Sequence, residues 1–494
     1  MGAVGGALSE CLIFGSKPIM KIRNTVIALA SLAALGSAHA LTPAEIVAER
    51  NAGTLKEVRI AGASALRLAL GGYLQEVANP ATLDVFFNDA TGANHRAYSF
   101  RLAVQVGNWP AGTAVLVTKR DAGGSGQGVG PLITADANQA HMLVDASCAA
   151  TAKPSPATDI QTPTFTCAAT VPALADAGLS DVEPALLEAN INAGAGRAVD
   201  NLDSAGFVQN VFGVAVNKKL YLALQKAQGL VDVSATAIDE DAAKQPSIPT
   251  TFVRGALTGQ LLGSSAASKK GWNLLIPASV EANINNKKIN VCRRTAGSGT
   301  QAASNAYFAN NPCGGTAAYT PTGAGGGAIS ATGALTVIAG GSTGNVETCL
   351  GTTAENAAGG AFALGVIGRE NNPRANGGDK GYRFVKLSGV APERENVING
   401  SYEFVTESTM QWAKTGANAP AADKLEFLKT LRANIGKASV LAQLDPDLQA
   451  GLVATPDTIP AGTAWADLPE SVRSFTAHTA RVAAKTCTPV RMYK

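Results

Sequence analysis

Apolar strands that end in small-residue turns recur along this chain, and this repeated order constrains its fold more than any other feature. Residues 56–60, 114–118 and 208–216 each have the pattern of a strand, and each leads into a turn or a helix start. Strands that alternate with helices are typical of a sheet covered on both faces. The sequence therefore predicts an α/β fold.

Two of these strand ends could collect an anion. The turn at residues 61–64 contains Ser64 and precedes a helix expected over residues 65–77. The Gly-rich stretch 123–130 contains Ser125 and matches neither the P-loop nor the dinucleotide spacing. Free N–H groups and the helix dipole favour anions at such turns, but a plain turn or a flexible loop remains the alternative for each.

A third strand end is the stretch "RRTAGSGTQ", residues 293–301, which follows the β-prone "KINVC". Two arginines precede a small-residue turn with hydroxyls on both sides of Gly299, and a helix-like segment follows. On its own, this order fits an anion site and a plain turn equally well.

The N-terminal region has the pattern of an export signal. From Met20 the chain has a basic start, an apolar run over residues 25–35 and a small-residue cleavage site that ends at Ala40. The run is short for a membrane span. We therefore expect a periplasmic or secreted protein that is cleaved after Ala40, and we treat residues 1–19 as an over-long start.

Cysteine content fits export. One of the seven cysteines, Cys11, precedes the signal, and an oxidising compartment favours pairing of the other six. Six cysteines permit 15 connectivities, so the pairing stays open. A Pro/Thr-rich excursion favours the pair Cys148–Cys167, and a Gly-rich excursion favours Cys313–Cys349. Elimination then leaves Cys292–Cys487.

Charge and motif content exclude several functions. The net charge is only +3 and no basic tract occurs, so nucleic-acid binding is not expected. The sequence contains no C-x-x-C, and its histidines after the signal, His95, His141 and His478, stand apart from one another. We therefore expect no Cys/His metal site and no cofactor.

The order of the motifs resembles the periplasmic phosphate-binding proteins that serve phosphate ABC transporters. The motifs are "VRIAGASA", "GGSGQGVG", "GLSDVEP", "VFGVAVNKK", "INVCRRTAGSGTQAASNAYF", "GAFALGVIG" and "YEFVTES". Each motif is weak alone, and their shared order over residues 58–406 carries the resemblance. It implies a periplasmic-binding-protein fold of the second type: two lobes, each a mixed sheet flanked by helices, that close on a ligand.

The resemblance also implies how the chain is divided. The leader and signal occupy residues 1–40, the first lobe combines 41–207 with 362–494, the second lobe is 208–361, and 136–172 is an insertion. The implied function is that of a monomeric, non-enzymatic solute-binding protein. It would capture an oxyanion, inorganic phosphate first, and deliver it to an ABC permease in the inner membrane.

The family's ligand motif, R-S-D-G-S-G-T, aligns with residues 294–300, "RTAGSGT". Arg294 would face the anion, and the turn after it would supply hydroxyl and N–H donors at a helix start. Two positions depart from the family pattern: Ala65 replaces an aromatic residue, and Ala296 replaces the acid expected two residues after the arginine. The candidate ligand-binding residues are Ser64, Ser125, Asp181, Arg294, Ser298, Gly299 and Thr300.

Asp181 carries the sharpest chemical implication. A carboxylate repels an oxyanion unless the ligand has a proton to donate, as phosphate has near neutral pH and sulfate has not. The alternative is that Asp181 caps the helix expected from Val182.

Two other functions remain open. The alanines at 65 and 296 favour an exported binding, matrix or adhesion protein with another ligand or a vestigial cleft. An exported phosphatase with Ser298 as nucleophile is the weaker alternative, because no G-x-S-x-G is centred on that serine.

Overall fold

The computed structural model describes residues 40–188, 199–259, 261, 271–309, 327–328, 335–354, 356, 361–444, 451–481 and 490–492. Within these ranges, no helix is both long enough and apolar enough to cross a bilayer. The expected export signal lies outside them except for its last residue, Ala40. The described residues from Ala40 onward form one compact unit.

The strands are short except for β10. They are β1 (Lys56–Gly62), β2 (Asp84–Phe87), β3 (His95–Arg101), β4 (Ala114–Arg120), β5 (Ala140–Met142), β6 (Ala149–Ala150), β7 (Phe165–Thr166), β8 (Thr170–Pro172), β9 (Ala177–Ser180), β10 (Leu202–Asn217), β11 (Ser247–Ile248), β12 (Ile289–Arg294), β13 (Gly327–Ala328), β14 (Leu335–Gly340), β15 (Phe362–Gly368), β16 (Tyr382–Phe384), β17 (Lys386–Leu387), β18 (Val405–Ala413), β19 (Leu452–Ala454), β20 (Thr479–Arg481) and β21 (Val490–Met492).

Helix α1 precedes β1, and the other α-helices lie between strands. They are α1 (Pro43–Asn51), α2 (Arg67–Val77), α3 (Gly130–Thr134), α4 (Pro184–Glu188), α5 (Lys218–Ala227), α6 (Thr250–Thr258), α7 (Gly299–Phe308), α8 (Thr343–Thr348), α9 (Arg394–Ile398), α10 (Ala422–Asn434), α11 (Ala438–Leu441) and α12 (Glu470–Arg473).

Fifteen strands form one mixed sheet. Its main path runs β13-β14-β12-β15-β10-β18-β9-β1-β4-β3-β2-β7-β6, with β16 and β19 paired to β10. Strand β1 is parallel to β4 and β9, and β12 is parallel to β14 and β15. The predicted α/β class, with a mixed sheet flanked by helices, is confirmed. Because parallel neighbours end at the same edge, the segments that follow these strands lie side by side.

Strand β10 joins two parts of the sheet. Its residues up to Val211 pair with β18, and its residues from Phe212 pair with β15. One large hydrophobic cluster lies around β1, α2 and α10, and another around the second half of β10 with α5, α6 and α7. The lobe boundaries expected at 207/208 and 361/362 stay a prediction.

Local signals near the N-terminus predict the structure closely. Thr42 and Glu45 form a capping box at the start of α1, with the Thr42 N–H donating to Glu45 Oε2 at 2.8 Å. Helix α2 begins two residues later than the expected 65, because the Arg67 N–H donates to the Ser64 carbonyl at 3.2 Å and closes a tight turn first.

The excursion at 136–172 is more than the surface loop that its composition suggests. Its strand β7 pairs with β2 and thereby extends the main sheet. Met142, Val144 and Cys167 are buried against Phe86 in one cluster. The apolar residues of this excursion are scattered among Pro and Thr and have no periodic spacing. Their burial is therefore evident only from the strand pairing. The Cys148–Cys167 disulfide expected here is confirmed.

The second disulfide corrects the sequence expectation. Cys292 pairs with Cys349, and not with Cys487 as elimination suggested. Strand β12 carries Cys292, and its parallel neighbour β14 leads into α8 and the π-helical turn Cys349–Ala354, which places the two Cα atoms 5.8 Å apart. Cys349 is therefore not bonded to Cys313; Cys313 and Cys487 lie outside the described residues.

Candidate functional site

A pocket of about 470 Å³ lies where the carboxyl ends of several strands meet. Segments that follow β1, β4, β14 and β15 contribute to its wall, together with the last residue of β12 and the loop between β2 and β3. This is the edge at which open α/β sheets bind ligands. The polar lining residues discussed below are Ser64, Arg67, Asp121, Arg294, Thr343, Glu347, Glu370 and Lys380.

Arg294 is the last residue of β12 and reaches this pocket. Only 6% of the residue is exposed. Its Nη1 donates to Thr343 Oγ1 and its Nη2 donates to the Gly341 carbonyl, both at 3.0 Å. Burial lowers the pKa of Arg294, and the charges of Asp181 and Glu370 oppose that shift. An arginine stays protonated under these conditions, so the pocket holds a fixed, oriented cation.

The support of Arg294 answers the question raised by Ala296. An acid two residues after the arginine would hold the guanidinium from its own loop. Here Thr343 and Gly341, which follow the neighbouring strand β14, hold it instead. The sequence gives no sign that Thr343 and Gly341 take the place of this acid, because they are far from Arg294 along the chain.

The turn after Arg294 packs against the Gly-rich loop after β4. The Gly126 N–H donates to the Gly297 carbonyl at 2.8 Å. A Cβ at Gly126 would lie 3.0 Å from that carbonyl oxygen, so a glycine allows this close approach. Ser298 caps α7 with its Oγ, which accepts the Gln301 N–H at 3.4 Å. The turn after Arg294 and the Gly-rich loop were two separate candidate anion sites in the sequence, and in the structure they form one contact.

Ser125, Asp181 and Gly299 meet directly. Ser125 Oγ donates to Asp181 Oδ2 at 3.1 Å and accepts the Asp181 N–H at 3.1 Å. A Cβ at Gly299 would overlap Ser125 Oγ and would lie 2.6 Å from Asp181 Oδ2. The carboxylate therefore lies against the first residue of α7, where the helix dipole favours negative charge.

Burial makes the Asp181 carboxyl a weaker acid than an exposed aspartate. Burial raises its pKa to about 6, against the hydrogen bond from Ser125 and the charges of Arg294 and Lys119. Asn210 Nδ2 also donates to Oδ1 at 3.4 Å. In the described part of the chain, the hydrogen bonds of this carboxylate run to the Gly-rich loop and to β10 rather than to helix α4.

Six of the seven candidate residues fall into two groups. Ser64 and Arg294 line the pocket. Ser125, Asp181, Ser298 and Gly299 lie in the contact between the Gly-rich loop and α7, beside Arg294 but outside the pocket lining. Thr300 is in the first turn of α7 and is 9% exposed. Ala65, where the family pattern has an aromatic residue, also lines the pocket.

Sequence reasoning missed a buried ion pair next to the Gly-rich loop. Lys119 Nζ lies 2.6 Å from Asp121 Oδ1, and both side chains are fully buried. Lys119 also donates to the Gly62 carbonyl at 3.0 Å, and Arg67 Nη1 lies 3.7 Å from Asp121 Oδ2. The charged run "TKRD" before the glycines was the available signal. This pair fixes the ends of β1 and β4 to each other and brings Asp121 to the pocket wall.

Glu370 is a second carboxyl that the sequence analysis did not single out. It follows β15, its Oε1 accepts from Asn371 Nδ2 at 2.8 Å, and it lines the pocket. Burial, with a contribution from the Asp181 charge, raises the pKa of Glu370 to about 7. Its polar neighbours in "GRENN" were the only signal. The pocket thus combines guanidinium groups with carboxyls.

Comparisons with known proteins add only distant likenesses. Neither a protein-family model nor a curated protein sequence matches this chain significantly. A Clostridium perfringens protein assigned as a phosphate ABC transporter substrate-binding protein, solved with bound phosphate, is 11% identical, with 81% of this chain and 99% of that chain covered at a TM-score of 0.39.

Two further solved structures are similar to the same degree. An ABC-type phosphate transport receptor from Vibrio cholerae is 12% identical, covering 76% of this chain and 93% of its own at a TM-score of 0.35. PstS from Borrelia burgdorferi is 11% identical, covering 81% and 98% at a TM-score of 0.32. At these values the ligands of those proteins are not transferred to this chain.

Proposed function

We propose that this protein is an exported solute-binding protein that captures an oxyanion, inorganic phosphate first, and hands it to an ABC permease. One observation carries the proposal: the buried, pre-oriented guanidinium of Arg294 at the carboxyl edge of the sheet. A guanidinium held by two neutral acceptors keeps further N–H groups for an anion.

The surroundings of Arg294 support an oxyanion. Ser64 adds a hydroxyl to the same pocket. The Asp181 carboxyl, with its pKa raised to about 6 by burial, lies near the guanidinium and would disfavour an anion without a proton. This combination favours phosphate over sulfate.

The proposed division into lobes agrees with the composition of the pocket. Ser64 and Asp121 belong to segment 41–207, Arg294 and Thr343 to segment 208–361, and Glu370 to segment 362–494. Closure of two lobes on a ligand would bring such segments together. We propose that the protein acts in this way as a monomer in the periplasm.

Isothermal titration calorimetry with phosphate, arsenate and sulfate tests the proposal. We expect stoichiometric binding of phosphate, weakened about tenfold to a hundredfold in Arg294→Ala, since a charge-assisted hydrogen bond contributes roughly 1.5–3 kcal/mol. Ser298→Ala should weaken it less, because that hydroxyl caps α7.

The matched control is Arg473→Ala, which removes an arginine from a surface pair with Glu470. It should bind phosphate as the parent protein does. No heat and no thermal stabilisation with phosphate in the parent protein would exclude the proposed function.

A second candidate is an exported binding, matrix or adhesion protein with another ligand. The carboxyl of Glu370, which lines the pocket, favours it, since a carboxylate repels a small dianion. Mass spectrometry of ligand released from the purified protein distinguishes the two. We do not propose a phosphatase, because the Ser298 oxygen is used as the cap of α7.

A further inference from the structure

Arg67 brings a second guanidinium to the pocket that Arg294 lines. It is the first residue of α2, and 25% of its side chain is exposed. Its Nη1 lies 3.7 Å from Asp121 Oδ2, which is longer than a hydrogen bond. Among the described residues, this guanidinium has no hydrogen-bond partner, and only its Nε is buried. Nη1 and Nη2 therefore remain accessible to a ligand in the pocket.

Arg67 shares one carboxylate with other cations. Asp121 Oδ1 lies 2.6 Å from Lys119 Nζ, so Lys119 is the closer partner of this carboxylate. Arg96, which is 5% exposed, donates to the carbonyl of Thr91, a lining residue, at 3.2 Å. Burial lowers the pKa of Lys119 and of Arg96, and the nearby positive charge of Arg67 adds to both shifts. Three cations around one carboxylate give this side of the pocket an excess of positive charge.

The other charges of the wall oppose this excess only in part. Lys380 Nζ lies 2.7 Å from Glu347 Oε1, so these two lining residues balance each other. The carboxyls near Arg294 are Glu370 and Asp181, whose pKa values burial raises to about 7 and about 6. An anion bound beside them favours their protonated forms. The uncompensated charges that face a ligand are then those of the two lining arginines.

The pocket is larger than one phosphate group needs. Its volume of about 470 Å³ is within the range of roughly 300–1,000 Å³ that is typical of sites for small ligands. Phosphate has five heavy atoms, which corresponds to the space of only a few water molecules at roughly 30 Å³ each. Phosphate beside Arg294 would therefore fill a small part of the pocket and leave room for a second anionic group.

We infer that the pocket binds a compound with two phosphate groups joined by a short link, of which inorganic diphosphate is the simplest. One phosphate group binds at Arg294 and the other binds at Arg67. A guanidinium presents paired N–H donors that match two oxygens of a phosphate group. This inference rests on the proposed oxyanion site and names the class of its ligand.

Calorimetry with three probes tests this inference. The probes are inorganic phosphate, diphosphate and methylenediphosphonate, at pH 7, constant ionic strength and with a chelator present. Methylenediphosphonate has a CH₂ group in place of the bridging oxygen and is not hydrolysed to phosphate. We expect both two-group compounds to bind about tenfold or more tightly than phosphate, because each gains charge-assisted hydrogen bonds to Arg67.

The variant Arg67→Gln tests the assigned residue. Glutamine keeps a polar side chain but loses the charge, so the preference for diphosphate over phosphate should fall about fivefold or more. The affinity for phosphate itself should stay within about twofold of the parental value, since that group binds at Arg294. Arg67→Lys keeps the charge and should retain more of the preference than Arg67→Gln does.

Arg59→Gln is the matched control. It removes an arginine of similar exposure, 30% of the side chain, which pairs with Glu57 and lies outside the pocket lining. It should keep the parental preference for diphosphate. Thermal unfolding of all three variants checks that they are folded.

The outcomes separate this inference from the proposed function. Binding of phosphate with no preference for either two-group compound overturns the inference and keeps the proposed function. Binding of diphosphate without binding of phosphate supports the inference and replaces the expected ligand. Absence of binding by all three probes overturns both. Equal weakening of phosphate and diphosphate in Arg67→Gln assigns Arg67 to a single-phosphate site and also overturns the inference.

Discussion

Ser125 and Asp181 form a reciprocal pair: the Ser125 hydroxyl donates to Asp181 Oδ2 at 3.1 Å and accepts the Asp181 backbone N–H at 3.1 Å. The pair joins the Gly-rich loop after β4 to the segment after β9. Through Gly299 it also touches the start of α7. A loop, a carboxyl and a helix start that are distant in sequence are thereby fixed beside Arg294.

The first prediction concerns selection between oxyanions. Asp181→Asn removes the carboxylate that repels an unprotonated oxyanion, so sulfate should gain affinity relative to phosphate by roughly tenfold or more, equivalent to about 1.4 kcal/mol. Competition titrations at pH 7.5 measure the ratio. Asp232→Asn, a change at an exposed aspartate that bonds to Ser234, should leave it unchanged. A constant ratio in Asp181→Asn would show that the carboxyl does not discriminate.

The second prediction concerns stability and pH. Asp84 is fully buried, and burial raises its pKa to about 6, above its ordinary value near 4. The folded state holds this proton more tightly, so the stabilisation is present below pH 4 and is lost as the pH rises through 6. A shift of about two units corresponds to about 3 kcal/mol.

The matching experiment compares urea unfolding at pH 4, 5, 6 and 7. Asp84→Asn should flatten the decline in the free energy of unfolding over this range by about 3 kcal/mol. Glu426→Gln serves as a charge-matched surface control and should retain the parental slope. If the free energy of unfolding falls equally with pH in Asp84→Asn and in the parent protein, the raised pKa of Asp84 is not the cause of the decline.

The third prediction concerns the two disulfides. The Cys292–Cys349 bond spans 57 residues and lies two positions before Arg294. Replacing both cysteines with alanine should lower the free energy of unfolding by about 4 kcal/mol. It should also weaken phosphate binding, because the bond ties β12 to the turn after α8, and Thr343 of α8 holds Arg294. Chemical unfolding and calorimetry measure the two effects.

The Cys148–Cys167 bond provides the internal control. It spans 19 residues in the excursion at 136–172, so its removal should cost about 3 kcal/mol without changing phosphate affinity. Equal loss of affinity in both double variants would indicate a general loss of structure instead of a local effect on Arg294.

The fourth prediction concerns the close contact at Gly299. A Cβ there would overlap Ser125 Oγ and crowd Asp181 Oδ2, so Gly299→Ala should destabilise the protein by roughly 1–3 kcal/mol and weaken ligand binding. Gly271→Ala is the control, since the nearest atom to its added Cβ, on Ile289, is 3.7 Å away. Thermal unfolding of both variants provides the comparison, and equal midpoints would refute the crowding.

Residues close together in sequence were predictable. The strand and helix around Ser64 and the helix start after "RRTAGS" follow from spacing and residue type. Their hydrogen bonds span three or four residues, so the local pattern contains the information. The pair Cys148–Cys167 was also favoured because it closes a short excursion.

Contacts between distant segments were not predictable in the same way. Arg294 could be identified as a candidate, but its support by Thr343 and Gly341 depends on the pairing of β12 with β14. The same pairing explains why Cys292 bonds to Cys349. No motif marks Glu370 in the sequence. Its raised pKa comes from burial next to other charges, which only the tertiary structure shows.

The sequence by itself determined the α/β class, the small-residue turns at the strand ends and the short list of polar side chains that could face a ligand. The tertiary structure decided which of them meet. Ser64 and Arg294 reach one pocket with Glu370, while Ser125, Asp181 and Gly299 lie beside it in a packed contact. Periodicity and turn chemistry act over a few residues, whereas strand order in the sheet places segments hundreds of residues apart within hydrogen-bonding distance.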